Sequence, residues 1–186
     1  TRRRRNEVIA VLPPGFGEAT VERIAINAVM AGCEAAHLPV LIAATDAAAQ
    51  AQFNIQGIEA TTNPVAVWLV LNGPIVNQLD INATFNCLGQ GAWANATLGR
   101  AMRLILQNIG GALPGDMDRA TQGQPAKYTF CCGENEAQSP WEPLHVERGF
   151  AREASTVTVV GAEGTLNMNT HSKEAGEMLQ IGRAHV

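Results

Sequence analysis

Residues 131–150 contain four glutamates and one histidine, spread over one predicted strand end and the loop after it. Carboxylates and imidazoles are the groups that exchange protons in general acid–base catalysis. The same groups ligate Mg, Mn, Fe or Zn, but their spacing here matches no diagnostic metal motif. We therefore predict that Glu134, Glu136, His145 and Glu147 are acid–base residues, with metal ligation ranked second. A solvated loop anchored by Trp141 is the alternative.

The cysteines offer a second kind of chemistry. Cys131 lies at the end of the same predicted strand, where a reactive thiol could face a ligand, and we include it among the candidate catalytic residues. Free cysteine is more commonly a small buried apolar residue, and that interpretation stays open. The chain has four cysteines and no Cys-x-x-Cys pair, a sparse usage that favours a reducing, cytoplasmic location.

Three further places suggest ligand contacts. Gly15, Gly17 and Thr20 lie in a turn between an apolar strand and a helix, where free backbone N–H groups and the helix dipole suit a carboxylate or phosphate. An ordinary tight turn explains the same residues equally well. Asn72 follows the most apolar strand, although asparagine before glycine and proline is also common turn chemistry.

A glycine-rich loop with an arginine beyond it is the third place. Gly89 and Gly91 would let a substrate approach the backbone of residues 86–95 closely, and we include Asn95 among the ligand-binding candidates. Arg100, in the helix that follows, could pair with an anionic group. A solvated arginine beside a flexible connection is the plainer interpretation.

Apolar periodicity predicts the elements that would position these residues. Glu7–Leu12 and Val65–Leu71 are apolar on both faces, as in buried strands, and the first is expected to pair in parallel. Strands alternating with helices indicate an α/β fold, a layered sandwich with a mixed, mostly parallel sheet. The other predicted strands are Ile58–Thr62, Lys127–Cys132 and Thr156–Val160, and the predicted helices are Thr20–Ala31, Pro39–Gln50, Ile75–Leu79 and Ala94–Ile109.

Composition excludes some classes of partner. The chain of 186 residues is 46% apolar and only 16% charged, with a net charge of −4. The acidic balance disfavours nucleic acid, and no apolar run has the length needed to cross a membrane. So little charge favours surface covered by other copies of the chain, hence a homo-oligomer.

Both ends of the chain have unusual residues. It begins with Thr1 and four arginines, and its last six residues, 181–186, read as one frame of a common sequencing-adaptor oligonucleotide. We expect residues 1–180 to be a single α/β domain and an incomplete fragment of a longer protein. Residues 181–186 are then a scar, to be excluded from fold reasoning.

Several stretches resemble an uncharacterised bacterial family whose members occur with, or fused to, the UGSC-like selenoprotein domain. These stretches run from Val11 to Cys33, Asn95 to Ala101, Ser139 to Phe150 and Gly161 to Gly164, and the similarity covers roughly Glu7 to Asn169. The resemblance implies a longer protein with a further α/β segment, and thiol or selenol redox chemistry in a UGSC-type partner. This chain has no UGSC or Cys-Gly-Ser-Cys stretch, so that redox centre is not in it.

Together these patterns suggest an enzyme domain that acts on a small anionic metabolite by thiol-linked redox or lyase chemistry. The alternative is a non-catalytic oligomeric scaffold for a UGSC-type partner. No residue pattern identifies a cofactor. If the chain is an enzyme, Glu134, Glu136 and His145 should converge with the turn at Gly15 around one pocket.

Overall fold

The computed structural model describes residues 2–166, 173–174 and 176–177. The predicted scar at 181–186 lies outside the described residues, as does the end of the family resemblance at Asn169. The strands are β1 (Val8–Leu12), β2 (Gly17–Thr20), β3 (Ala66–Asn72), β4 (Cys131–Gly133) and β5 (Thr156–Ala162). The α-helices are α1 (Val21–Ala31), α2 (Leu38–Ala49), α3 (Ile55–Ala60), α4 (Ile75–Gln78), α5 (Trp93–Asn108) and α6 (Leu144–Glu147).

The main sheet is centred on β3. β4 pairs with it in parallel, with Leu69 opposite Cys131, and β5 pairs antiparallel along the whole of β3. Leu69 and Leu71 are fully buried, whereas Trp68 and Val70 on the opposite face are half-buried. Both α2 and α5 contact this sheet and each other, so the helices cover one face of it. The Trp68 ring stacks on Phe130, with ring centroids 4.8 Å apart.

The first strand does not join that sheet, which corrects the prediction of a buried, parallel strand. β1 pairs antiparallel with β2 in a separate two-stranded sheet, and the turn between them contains a cis Pro13–Pro14 bond. Leu12 is buried against the core, but Val8 and Val11 are about half exposed, at 46% and 48%. A strand that is apolar at nearly every position can therefore still have one face exposed to solvent.

Local signals explain where α1 begins and ends. The Thr20 hydroxyl accepts a hydrogen bond from the Arg23 backbone N–H, which is ordinary N-capping. Gly32 adopts the left-handed conformation at the carboxyl end and donates its N–H to helix carbonyls. Val21, Ile24 and Ala28 form the buried stripe. The helix predicted over Thr20–Ala31 is confirmed.

The longest described helix, α5, packs on both α1 and the main sheet. Its buried side includes Leu98, Ala101 and Ile105, matching the predicted amphipathic helix over Ala94–Ile109. Gly99 sits directly against Thr129 and Phe130, where a side chain would collide with backbone. The helix therefore lies close along the segment that leads into β4.

Two other elements differ from prediction. Ile58–Thr62 was predicted as a strand, but it lies within and just after α3, which Asn54 caps by accepting from the Gly57 N–H. The strand predicted at Lys127–Cys132 is reduced to Cys131–Gly133, because a 3₁₀ turn occupies Pro125–Lys127. Short-range apolar pattern alone does not separate a short strand from a short helix.

The α/β class is confirmed, and the main sheet is mixed. The predominance of parallel pairing is not confirmed, because the described strands make one parallel pairing and two antiparallel ones. Across the described part of the chain, none of the helices has the length and apolar character required to cross a membrane.

Candidate functional site

A cleft of about 1000 Å³ opens where β3 and β4 end. These two strands are parallel, so their carboxyl ends meet at one edge of the sheet, the usual location of ligands in α/β proteins. Its walls come from the segment after β3, the glycine-rich loop before α5, and the loop after β4. The polar and aromatic lining residues include Asn77, Asp80, Asn82, Phe85, Gln90, Trp93, Glu134, Asn135, Glu136 and Arg152.

Asn72 holds the two glutamates together. Its fully buried side-chain nitrogen donates to Glu134 Oε2 at 2.5 Å and to Glu136 Oε1 at 2.9 Å. One amide nitrogen carries two hydrogens, so both are used by these carboxylates. The Asn72 oxygen is buried and has no hydrogen-bond partner among the described residues. A single buried amide therefore links the two carboxylates.

Backbone donors complete the hold on each carboxylate. Gly73 N donates to Glu136 Oε1 at 2.8 Å, and Leu144 N donates to Glu134 Oε2 at 2.9 Å. Gly73 has a φ of 78°, a left-handed conformation suited to glycine. The second oxygen of each carboxylate accepts no hydrogen bond from the described residues. Each glutamate thus has one fixed oxygen and one oxygen available to the cleft.

His145 lies behind Glu136, almost fully buried. Its Nε2 is 3.1 Å from the Arg152 carbonyl oxygen, and because a carbonyl only accepts, Nε2 carries the hydrogen. Its Nδ1 is 3.8 Å from Glu136 Oε1 and is otherwise unpartnered within the described residues. That separation exceeds a hydrogen bond, but a small shift would close it.

The charge of the cleft is mostly negative. Asp80, Glu134 and Glu136 line it, and Arg152 is the one basic residue in its lining within the described part of the chain. A purely anionic ligand is therefore attracted only near Arg152, whereas a hydroxyl or amino group is accommodated on the acidic side. Sequence reasoning missed Asp80, which comes just after α4, and Arg152, which lies in the loop before β5, and neither belongs to a motif.

Asn95 has a structural position. Its side chain accepts from Asn82 N at 2.8 Å and donates to the carbonyls of Asn82 and Cys87. It is buried beneath the glycine-rich loop and does not line the cleft. Asn95 was predicted to contact a ligand, and it instead holds in place the loop that lines the cleft.

The turn at Gly15 lies elsewhere, which corrects the expected convergence. Gly15 N donates to Gly110 O at 2.7 Å, and a side chain at Gly17 would overlap the Ile109 carbonyl. These contacts are at the carboxyl end of α5, whereas Trp93 at its first turn lines the cleft. The 16 residues of α5 separate the two places by about 24 Å. The Thr20 hydroxyl is occupied as a helix cap.

Arg100 lines a separate cleft of about 640 Å³. There Arg103 bonds Glu59 at 2.8 Å and approaches Asp118 at 3.3 Å, and Lys127 pairs with Asp118 at 3.0 Å. Arg100 is thus not brought together with Asn72 and the two glutamates.

Two remaining candidates also lie away from the cleft. Glu147 is exposed and is not part of its lining. Cys131 is buried, and desolvation raises the pKa of its thiol well above the ordinary value. A thiol in that state is a poor nucleophile, so the structure gives Cys131 the surroundings of a core residue.

In the described part of the chain, no group of three or more His, Cys, Asp or Glu side chains is arranged to hold a metal ion. Comparison with known proteins finds no match among family models, curated proteins or solved structures.

Proposed function

We propose that the cleft at the ends of β3 and β4 binds a small polar molecule and that Glu134 and Glu136 transfer protons to and from it. The observation that supports this most directly is the pair of carboxylates bound by one buried amide nitrogen at the mouth of a cleft. Burying Asn72 between two acidic groups with its own oxygen unpaired carries a cost in free energy. Such costs are typical of functional sites rather than of cores.

The reaction class that fits is a lyase-type elimination or addition. In an elimination, one carboxylate removes a proton from carbon, and an acid returns a proton to the leaving hydroxyl or amine. Glu134 and Glu136 face the same space, so the carboxylate that takes the proton from carbon can pass it, as a carboxylic acid, to the leaving hydroxyl or amine. The site therefore contains the proton acceptor and the proton donor that such a reaction needs. The thiol-linked alternative loses support from the burial of Cys131.

The substrate we propose carries a carboxylate and a neighbouring hydroxyl or amino group. Among the described residues, Arg152 is the only cationic one that lines the cleft, so we assign the carboxylate to it. Asp80 and the two glutamates suit the hydroxyl or amino group. This replaces Arg100 with Arg152 as the anion-binding residue.

Proton abstraction is tested by deuterium exchange, which needs no knowledge of the full reaction. L-Malate, L-serine and L-aspartate are incubated with the protein in D₂O, and loss of carbon-bound hydrogen is followed by proton NMR. We expect exchange in the wild type and a fall of about a hundredfold or more in Glu136→Gln. Glu147→Gln, an exposed glutamate outside the cleft, is the matched control and should retain the rate. No exchange with any of the three compounds contradicts the proposal for this substrate class.

A second candidate function is a scaffold that assembles with other chains, including a UGSC-type partner. The observation in its favour is the outer side of α1, where Ile26, Val29 and Met30 are exposed at 52%, 73% and 57%. Sedimentation of the wild type beside Val29→Lys tests it. Assembly that the lysine reduces supports the scaffold, and a monomeric wild type argues against the homo-oligomer.

A further inference from the structure

Two cysteines approach each other beside the cleft, since Cys87 follows the lining residue Asn86 and Cys132 precedes the lining residue Glu134 by two positions. Cys132 lies in β4, paired with Val70, and Cys87 lies half-buried in the glycine-rich loop before α5. Their side chains are close enough to interact, and that contact contributes to the raised pKa of Cys132. They are distant in sequence, so the fold alone brings them together.

Hydrogen bonds to the main chain hold this approach in place. Asn95 Nδ2 donates both to Asn82 O at 2.8 Å and to Cys87 O at 3.0 Å. The N–H of Gly133, the residue after Cys132, donates to the same Asn82 carbonyl at 3.2 Å. The main chain beside each cysteine is therefore held by the same pair of residues, Asn82 and Asn95. The proximity of the two cysteines does not depend on side-chain rotation alone.

The neighbouring Cys131 is excluded as the partner of Cys87. Successive side chains on a strand point to opposite faces. Cys131 pairs with Leu69 on the helix-covered face and belongs to the apolar core, whereas Cys132 pairs with Val70 on the other face. Only Cys132 faces the loop that carries Cys87.

We propose that Cys87 and Cys132 are a reversible disulfide site that links the glycine-rich wall of the cleft to β4. The oxidant is a small-molecule disulfide. The Cys87 thiolate attacks it, forming a mixed disulfide and releasing one thiol. Cys132 then loses its proton and attacks the Cys87 sulfur, releasing the second thiol. The protein dithiol is oxidised, and one small disulfide is reduced to two thiols.

The order of the steps follows from exposure. Cys87 is the more accessible, so it meets the oxidant first. Burial raises the pKa of Cys132 to about 11. The nearby Trp68 N–H acts to lower this pKa, although it forms no hydrogen bond of normal geometry. Ring closure by Cys132 is therefore the slow step, and it should accelerate about tenfold per pH unit below that pKa.

The disulfide would restrict the cleft. Phe85, Asn86, Gln90 and Gly91 line it on either side of Cys87, and Glu134 follows Cys132 by two residues. Oxidation ties this wall to the strand that ends at the candidate acid–base pair. Formation of the bond does not rest on the proposed function, but its effect on catalysis does.

The test is oxidation of the whole protein in glutathione redox buffers, followed by acid quenching, alkylation and peptide mapping without reduction. We expect a linked Cys87–Cys132 peptide, lighter by two hydrogens than its reduced parts, which disappears when reductant is added. Cys33→Ser is the matched control and should keep the link. Cys87→Ser should abolish it, and because that residue lies in a half-exposed loop, folding should survive.

Cys132→Ser should stop at the Cys87–glutathione mixed disulfide, and in the wild type this species should convert faster as pH rises. A wild type that accumulates the same stable mixed disulfide, or links a different pair, overturns the proposal. Deuterium exchange by the oxidised and reduced forms then separates the two ideas. A linked protein with unchanged exchange overturns control of the cleft, whereas exchange absent from both forms contradicts only the proposed function.

Discussion

Two turns in this chain look alike in sequence, but only one of them lines the candidate cleft. The turn at Gly15 and the turn at Gly73 each follow an apolar strand and contain glycine and proline. The first ends β1 in a hairpin, and its Gly15 N–H is used by the Gly110 carbonyl. The second ends β3 beside β4, and its Gly73 N–H holds a catalytic candidate, Glu136.

The direction of the neighbouring strand makes the difference. An antiparallel neighbour returns through the turn itself, so the turn's polar groups are used locally. A parallel neighbour ends at the same edge and leaves two sets of side chains facing one space. Asn72 and Glu134 meet for this reason. The comparison predicts that substitutions at the first turn change stability alone, whereas those at the second also change the cleft.

The largest effect is expected from Asn72→Ala. It removes both hydrogen bonds from the Asn72 side chain and leaves each glutamate with only its backbone donor. Unfolding free energy should fall by about 3 kcal/mol, measured by urea denaturation, and deuterium exchange should be lost as well. Asn77→Ala, an exposed asparagine of the same cleft, is the control and should change stability little. Equal effects of the two substitutions would show that Asn72 does not position the glutamates.

Gly17→Ala tests the first turn, where we expect an effect on stability alone. Its new methyl group would overlap the Ile109 carbonyl, so the hairpin must move away from α5. We expect a loss of about 1–3 kcal/mol in the free energy of unfolding. Exchange by the folded protein should be unchanged, since the cleft is at the other end of α5. The neighbouring exposed Glu18→Ala controls for position. A large change in exchange would show that the two regions are coupled.

Thr20→Ala is expected to have a smaller effect. Thr20 was predicted to contact a ligand, but its hydroxyl caps α1 through the Arg23 N–H. Loss of the cap should lower the unfolding free energy by about 1 kcal/mol, and Thr20→Ser should restore it. Thermal unfolding checks the stability. Ligand-induced stabilisation that differs between Thr20→Ala and Thr20→Ser would favour a binding role after all.

Arg100→Ala should have the smallest effect. Arg100 lies in the separate cleft with Tyr128 and makes no contact with the candidate acid–base pair. Stability should change by less than about 0.5 kcal/mol, and deuterium exchange should not change. Arg152→Ala is its counterpart and should weaken binding of the substrate carboxylate. If Arg100→Ala, and not Arg152→Ala, weakened the apparent affinity for the substrate, the anion site would lie at Arg100, as the sequence predicted.

Much of the site could be predicted from sequence because it depends on local position. Asn72, Glu134 and Glu136 each follow an apolar strand, and a strand end is visible in the sequence as a change from apolar to polar residues. The three predicted residues are brought into contact. Asp80 and Arg152 were not predictable, since each reaches the cleft through a loop whose path depends on distant contacts.

The sequence by itself determined α1, α2 and α5, whose apolar stripes and end signals act within a few residues, and the apolar character of β3. It did not determine the partner or direction of any strand. Those depend on contacts between segments far apart in the chain, such as β3 with β4 and α5 with the hairpin turn. The signals that start and end a helix lie within a few residues of it, whereas a sheet edge is formed by strands far apart in the chain. Only the tertiary structure therefore decided that the turn at Gly73, and not the turn at Gly15, lines a cleft.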